Sequence, residues 1–372
     1  MEHNIYVFVA IKESNCLSKN VTESAAQVIT FNSEDEILSA AKNLQIDNKN
    51  TRVFCASEDY LISAAKIRES LHIPGLTLEI TQNFRDKTVM KKRLEEATLR
   101  VPKFGHFDRS MSFETVKNEV GTPFILKLVD ALGALGVHTI HNEQGYINAV
   151  ENMINDRYQY EGFITGKLYH VDTLMQSGET VFQVACEYTA PNLEFQKGKA
   201  IISLPMPATD ELAQQLKNFT ADCLTALGLQ SGAAHTEIFV LANGELVFLE
   251  AAARTPGAVI VPLYEKQFSV NMIEAALQTE IGEPLPKVED RSEWSYFSGI
   301  FPTAAGILKS KSALPIDSMY EMTWKVDEGE TMTEAKSLRD ISASVIARNE
   351  SYDTLKRDFA KLTSYAPYEL QP

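Results

Sequence analysis

Residues 235–257 read HTEIFVLANGELVFLEAAARTPG. Two apolar arms flank Asn243-Gly244, and that dipeptide between alternating hydrophobics is a strong signal for a β-hairpin, here with a type I′ turn. Counting outward from the turn pairs Leu241 with Leu246, Phe239 with Phe248, and Glu237 with Glu250. The two carboxylates then stand opposite one another with Cβ atoms roughly 5 Å apart. Ile238, Val240, Val247 and Leu249 form the other face and read as core. Like charges so placed repel, and burying them is costly unless something positive is shared between them. A hard divalent cation with oxygen ligands, Mg²⁺ first and Mn²⁺ as the alternative, satisfies such a pair. An exposed edge hairpin with two solvated glutamates is the competing reading, so the rest of the chain has to decide.

With 372 residues and 44% hydrophobic content the chain is globular and long enough for two or three domains. A formal net charge of −15, with no stripe of Lys and Arg, argues against nucleic acid as the partner. The early apolar run IYVFVAI follows Glu2 and is too short for a signal peptide, and no stretch approaches a transmembrane span. Cys16, Cys55, Cys186 and Cys223 show no CxxC spacing and read as reduced thiols of a cytoplasmic protein.

The first part alternates strand and helix: NIYVFVA, AAQVITF, a helix opened by a capping box at Ser33–Glu36, then TRVFCAS and a helix capped by Ser57 and stopped by Pro74-Gly75. That pattern predicts a small parallel α/β sheet of the doubly wound kind, without the GxGxxG of a dinucleotide binder. A charged helix, NFRDKTVMKKRLEEATL, leads to a boundary at Pro102. Paired strands within 160–188 turn at Ser177-Gly178, and an amphipathic helix lies within 208–228. After Pro286 come short strands and a last helix, YDTLKRDFAKLTS. His170 and Asp172 share a face of one strand, where the polar face of a solvated sheet is the reading preferred to a substrate contact. His235 shares a face with Glu237, where packing and a supporting role at the metal compete.

The second chemical element is Lys127, which ends the strand TPFILK and precedes Gly133 and Gly136. Glycines let backbone N–H groups approach phosphate oxygens, and a nearby ammonium neutralises them. The loop is not a Walker loop, since GxxxxGK[ST] is absent.

RDKTVMKK, FILKLVDALGALGV, YEGFITGKLYHVD and HTEIFVLANGELVFLEAAARTPG, in this order and spacing, resemble the ATP-grasp superfamily over nearly the whole chain, and within it the carboxylate-amine ligases that join amino acids. The resemblance implies an α/β protein of ATP-grasp fold, with an N-terminal Rossmann-like (preATP-grasp) domain at 1–84. It also implies an ATP-grasp core at 85–290, with a lid at about 105–163, and a C-terminal α+β portion at 291–372. It implies ATP and two Mg²⁺ ions. Lys87 and Lys127 would hold the nucleotide phosphates under the loop bearing Gly133 and Gly136. Glu161 and the backbone at Phe163 would meet adenine, and Phe239 with Phe248 would sandwich it. Glu237 and Glu250 would bind metal, and Arg254 would stabilise the phosphoryl group in transit. The strand alternation that puts Glu250 on the metal face places Arg254 there too. Two positions depart from the pattern: Ala252 stands where many relatives carry a metal-binding Asn, and Leu168 stands, beside Lys167, where many carry a ribose-binding Glu. The implied reaction joins a small-molecule carboxylate to an amine, both expected to be amino acids. Apart from the resemblance, a homodimer through the N-terminal domain is the expected assembly. A carboxylase or nucleotide-biosynthesis ligase of the same fold, or a non-catalytic nucleotide-binding subunit, is the alternative.

Overall fold

The computed structural model of the chain describes residues 5–10, 23–285, 288 and 293–371. Cys16 and Pro286 lie outside them. The chain divides into a unit ending at Thr81 and a unit beginning at Gln82.

In the first unit, β1 (Tyr6–Ala10) and β2 (Gln27–Phe31) pair in parallel. The helix Glu34–Lys42 is capped by Ser33, whose Oγ accepts from Glu36 N. The Glu36 carboxylate reaches back to Asn32 N, one residue beyond the usual capping box. Ala10, Phe31, Ile37, Ala41 and Ile67 make the core. TRVFCAS is not a strand. The Val53 carbonyl accepts from the Arg68 guanidinium instead of from a neighbouring strand. Ser57 precedes a single 3₁₀ turn, Glu58–Tyr60, without a side-chain cap, and the helix Leu61–Leu71 ends on left-handed His72 ahead of Pro74.

Among the described residues the second unit holds three antiparallel sheets. The first, in the order β3-β6-β4-β5, comprises β3 (Phe104–His106), β4 (Phe124–Leu128), β5 (His138–Ile140) and β6 (Tyr158–Gly162). Helices Phe113–Val120 and Glu143–Glu151 cover one face, packing Phe113, Val116, Tyr146 and Ala149 on Phe124, Leu126, Tyr158 and Tyr160. The large sheet contains β7 (Lys167–Gln176), β8 (Glu179–Tyr188), β9 (Ile201–Pro205), β10 (Gly232–Val240), β11 (Leu246–Ala252), β12 (Ser295–Pro302), β14 (Met319–Trp324) and β16 (Ile341–Asn349). Its order is β11-β10-β7-β8-β9-β12-β16-β14, so the last part of the chain completes the sheet that carries the carboxylate hairpin. β13 (Gly306–Lys311), β15 (Thr331–Met332) and β17 (Tyr368–Gln371) form a third, small sheet. As predicted, β7 turns into β8 at Ser177-Gly178, both left-handed as a type I′ turn requires. The helix Glu211–Leu227 is capped by Asp210 and lays Ala213 and Leu216 on Tyr169, Val171 and Ile238 of the large sheet. The opposite face packs Leu168, Phe195, Phe239 and Val247.

Candidate active site

Glu237 on β10 and Glu250 on β11 are cross-strand partners, but the turn between their strands is not the one expected. Leu241 N donates to Glu245 O and Gly244 N to Leu241 O, so the loop has three residues, with only Gly244 left-handed. Such a loop is a type I turn closed by a glycine bulge. It sets the neighbouring register, in which Phe239 faces Val247 and Ile238 faces Phe248. The register shifts next to Ile238, where Leu249 is the extra residue, and Glu237 comes back opposite Glu250. Two expectations are thereby corrected. Val247 and Leu249 pack with Phe239, while Ile238 and Val240 belong to the cluster on the opposite face. Phe248 pairs with Ile238 and is fully buried, so it does not oppose Phe239 to sandwich adenine.

Three lysines surround the carboxylates. Asp86 caps the helix Lys87–Glu96 by accepting from Thr88 N and Val89 N, which fixes Lys87 at its first turn. Lys87 Nζ lies 3.5 Å from Glu250 Oε2 and donates to Ala131 O. Lys127, on the fully buried strand β4, pairs with Glu161 at 2.7 Å. Lys91, one turn after Lys87 and fully buried, meets the other Glu161 oxygen at 2.9 Å. Glu161, expected at the adenine, thus has both oxygens engaged by lysines, while Phe163 close by is 41% exposed. Burial pushes Lys91 down to about 8 against the pull of Glu161. Burial also opposes charge on Glu250, yet Lys87, Lys127 and Lys91 outweigh it and hold the carboxyl down to about 2.

A second polar cluster adjoins Glu237. His170 and Asp172 are completely buried, which corrects the reading of a solvated face. Asp172 takes His235 Nδ1 at 2.6 Å on one oxygen. On the other it accepts from the Tyr264 hydroxyl at 2.5 Å, and His170 Nδ1 lies 2.9 Å from that oxygen as a charge contact. His170 Nε2 is 2.6 Å from Ser203 Oγ. Burial works against the imidazolium of His235, but Asp172, with Glu237, raises it to about 9. The other His235 nitrogen, Nε2, stands 3.5 Å from Glu237 Oε1, and Asn192 Nδ2 donates to that same oxygen at 2.5 Å.

In the glycine loop, Gly133, Ala134 and Gly136 are all left-handed. Gln196 Nε2 donates both to Ala134 O and to Lys336 O, and Leu338 N donates to Gly133 O. β11 ends at Ala252, so strand alternation does not carry on to Arg254, whose Nη1 donates to Thr255 O. Leu168 is core, and Lys167 pairs with Glu187 at 3.2 Å. Reading the sequence missed Lys91, which its spacing of one helical turn from Lys87 could have flagged. It also missed Asn192, which reaches Glu237 from 45 residues away with no local signal.

No helix among the described residues is long and apolar enough to cross a membrane. Residues 120–262 match the ATP-grasp domain family. The chain is 26% identical over 249 residues to alanine–anticapsin ligase of Bacillus subtilis (strain 168), covering 59% of this chain and 52% of that protein. It is 25% identical over 239 residues to an L-arginine-specific L-amino acid ligase of Bacillus subtilis, covering 62% and 57%. The chain thus spans about half the length of these curated relatives. Among solved structures, the L-amino acid ligase from Bacillus licheniformis superposes with a TM-score of 0.73 at 18% identity, covering 94% of this chain and 89% of that one. An N5-carboxyaminoimidazole ribonucleotide synthetase in complex with ADP gives 0.67 at 15% identity, covering 96% and 89%. Residues 120–262 thus match the ATP-grasp domain, and the chain shares the fold of these solved structures.

Proposed function

We propose that the chain is an ADP-forming ligase that joins the carboxylate of one amino acid to the amine of another. The observation that carries this is the opposed pair Glu237 and Glu250 beside Lys87, Lys91 and Lys127. The paired carboxylates offer oxygen donors, and the side chain that reaches Glu237 from Asn192 keeps a buried amide oxygen without a partner, so the residues present suit Mg²⁺. When bound there, Mg²⁺ supplies charge neutralisation for the ATP phosphates and the phosphoryl group in transit. Lys87 and Lys127 would hold the phosphates, and Glu161 would keep Lys127 and Lys91 in place. The loop bearing Gly133 and Gly136, on the 104–162 sheet, would close over the nucleotide and exclude water. A carboxylate oxygen takes the γ-phosphoryl group and ADP leaves; the amine nitrogen then attacks the acyl carbon, loses a proton, and inorganic phosphate departs. Arg254 would engage two oxygens of the transferring group at once. The free thiols Cys55, Cys186 and Cys223 fit a cytoplasmic setting.

The test is a screen of amino-acid pairs with Mg²⁺-ATP, reading phosphate release and the mass of the product. Release that needs both amino acids, with a product of their summed mass less water, supports the proposal. Release with bicarbonate or formate alone favours a carboxylase-type reaction, and no release under any pairing removes the ligase reading.

A further inference from the structure

We infer that Asn192 is a further metal ligand, turning its amide oxygen to the cation held by Glu237 and Glu250. This rests on the metal reading of that pair. The residue is anchored where such a ligand is needed. Pro191 precedes it, Glu194 N donates to Pro191 O, and the turn Asn192–Lys197 is pinned by the fully buried Phe195 and closed by left-handed Gly198. From there the amide reaches Glu237 Oε1 at 2.5 Å.

Two observations indicate that the amide is poised rather than finished. Its Oδ1 is buried and has no hydrogen-bond partner, a state that is costly and seldom left uncompensated. Its Nδ2, meanwhile, sits on the carboxylate oxygen that His235 Nε2 also approaches, so positive charge gathers on Glu237. A cation on Glu237 would repel the Nδ2–H group and attract Oδ1. A half-turn about χ2 exchanges the two atoms at constant shape, satisfying the orphaned oxygen and adding a neutral oxygen to the coordination sphere. Mg²⁺ takes oxygen ligands, so a neutral amide oxygen could join the two carboxylates around it. The adjoining residue Ala252, buried on β11 opposite His235, has no oxygen in its side chain to offer.

The experiment titrates Mn²⁺ with a nonhydrolysable ATP analogue onto the full chain and reads bound ion from water-proton relaxation. Asn192→Ala, Asn192→Asp and Glu250→Gln are compared with the wild type. As a ligand, Asn192 predicts binding about tenfold weaker in Asn192→Ala, and within about threefold of wild type or tighter in Asn192→Asp, which keeps the oxygen. If Asn192 only donates to Glu237, Asp would repel that carboxylate, and Asn192→Asp would weaken binding at least as much as Ala. That result, or unchanged binding in Asn192→Ala, overturns the inference while Glu250→Gln still abolishes binding and leaves the metal site standing. Wild-type binding that is absent, or unaffected by Glu250→Gln, overturns both.

Discussion

Glu237 and Glu250 face each other across β10 and β11 in a register that the turn joining those strands does not set. The three-residue loop directs one register, and Leu249 inserts one residue to restore the other. A bulge beside a functional pair re-aims side chains without rebuilding the hairpin. Here it keeps Phe239 and Val247 in the core beside the carboxylates. The pair is also not a bare repulsion. Lys87 lies on Glu250, while Asn192 and His235 lie on Glu237.

That arrangement fixes the sign of one mutation. Glu250→Gln removes a carboxylate that three lysines stabilise, so the metal-free protein should lose stability. Glu250 is 34% exposed at the side chain, which holds the loss to about 1 kcal/mol. Thermal melts should also show no stabilisation by Mg²⁺-ATP. A variant of raised stability in the metal-free state would contradict the charge arrangement.

The glycine loop gives a second prediction. Gln196 ties Ala134 O to Lys336 O, so Gln196→Ala should open the loop. Cleavage between Gly133 and Gly136 should become roughly fivefold faster, the equivalent of about 1 kcal/mol. Mg²⁺-ATP should slow cleavage in both proteins. Equal cleavage with and without nucleotide would count against a lid.

How much of this was legible in the sequence follows from the range of each interaction. The β10–β11 pairing, the β7–β8 turn and the cap at Ser33 depend on neighbours in sequence, and local pattern exposes them. The bulge at Leu249 leaves the pattern of apolar residues intact, so the misplacement of Phe248 could not be seen. His170 and Asp172 alternate like a solvated face because a buried network of histidine, aspartate and tyrosine has the same spacing. Asn192 and Glu161 take their roles from partners that only the fold brings near.

Far from the site, Asp358 should make the fold sensitive to acid. Its Oδ2 accepts from Asp317 N, Ser318 N and Ser318 Oγ, and Lys361 pairs with its other oxygen at 2.8 Å. Burial opposes the charge, but these donors hold the carboxyl below the usual aspartate value of about 3.9. The unfolded chain therefore binds the extra proton, and this contribution is lost as pH falls below about 4. Asp358→Asn should lower stability by about 1–3 kcal/mol at neutral pH and flatten the acid limb of the stability curve. An unchanged acid limb in denaturant titrations would contradict it.

Arg254→Lys separates phosphoryl-transfer chemistry from simple nucleotide binding. A guanidinium engages two oxygens in a fixed plane, which an ammonium cannot reproduce. Calorimetric ATP affinity should stay within a few-fold while turnover falls roughly a hundredfold. The Arg254 bond to Thr255 O supports a bracing role instead if turnover holds and only the melting temperature drops.

The central claim is that a carboxylate oxygen takes the γ-phosphoryl group before the amine attacks. The direct measurement uses an amino acid carrying ¹⁸O in its carboxylate together with unlabelled ATP, and reads the inorganic phosphate by mass. An acyl phosphate requires one ¹⁸O to pass into each phosphate released, in step with the amide product. Phosphate that carries no ¹⁸O while the amide forms would contradict the account.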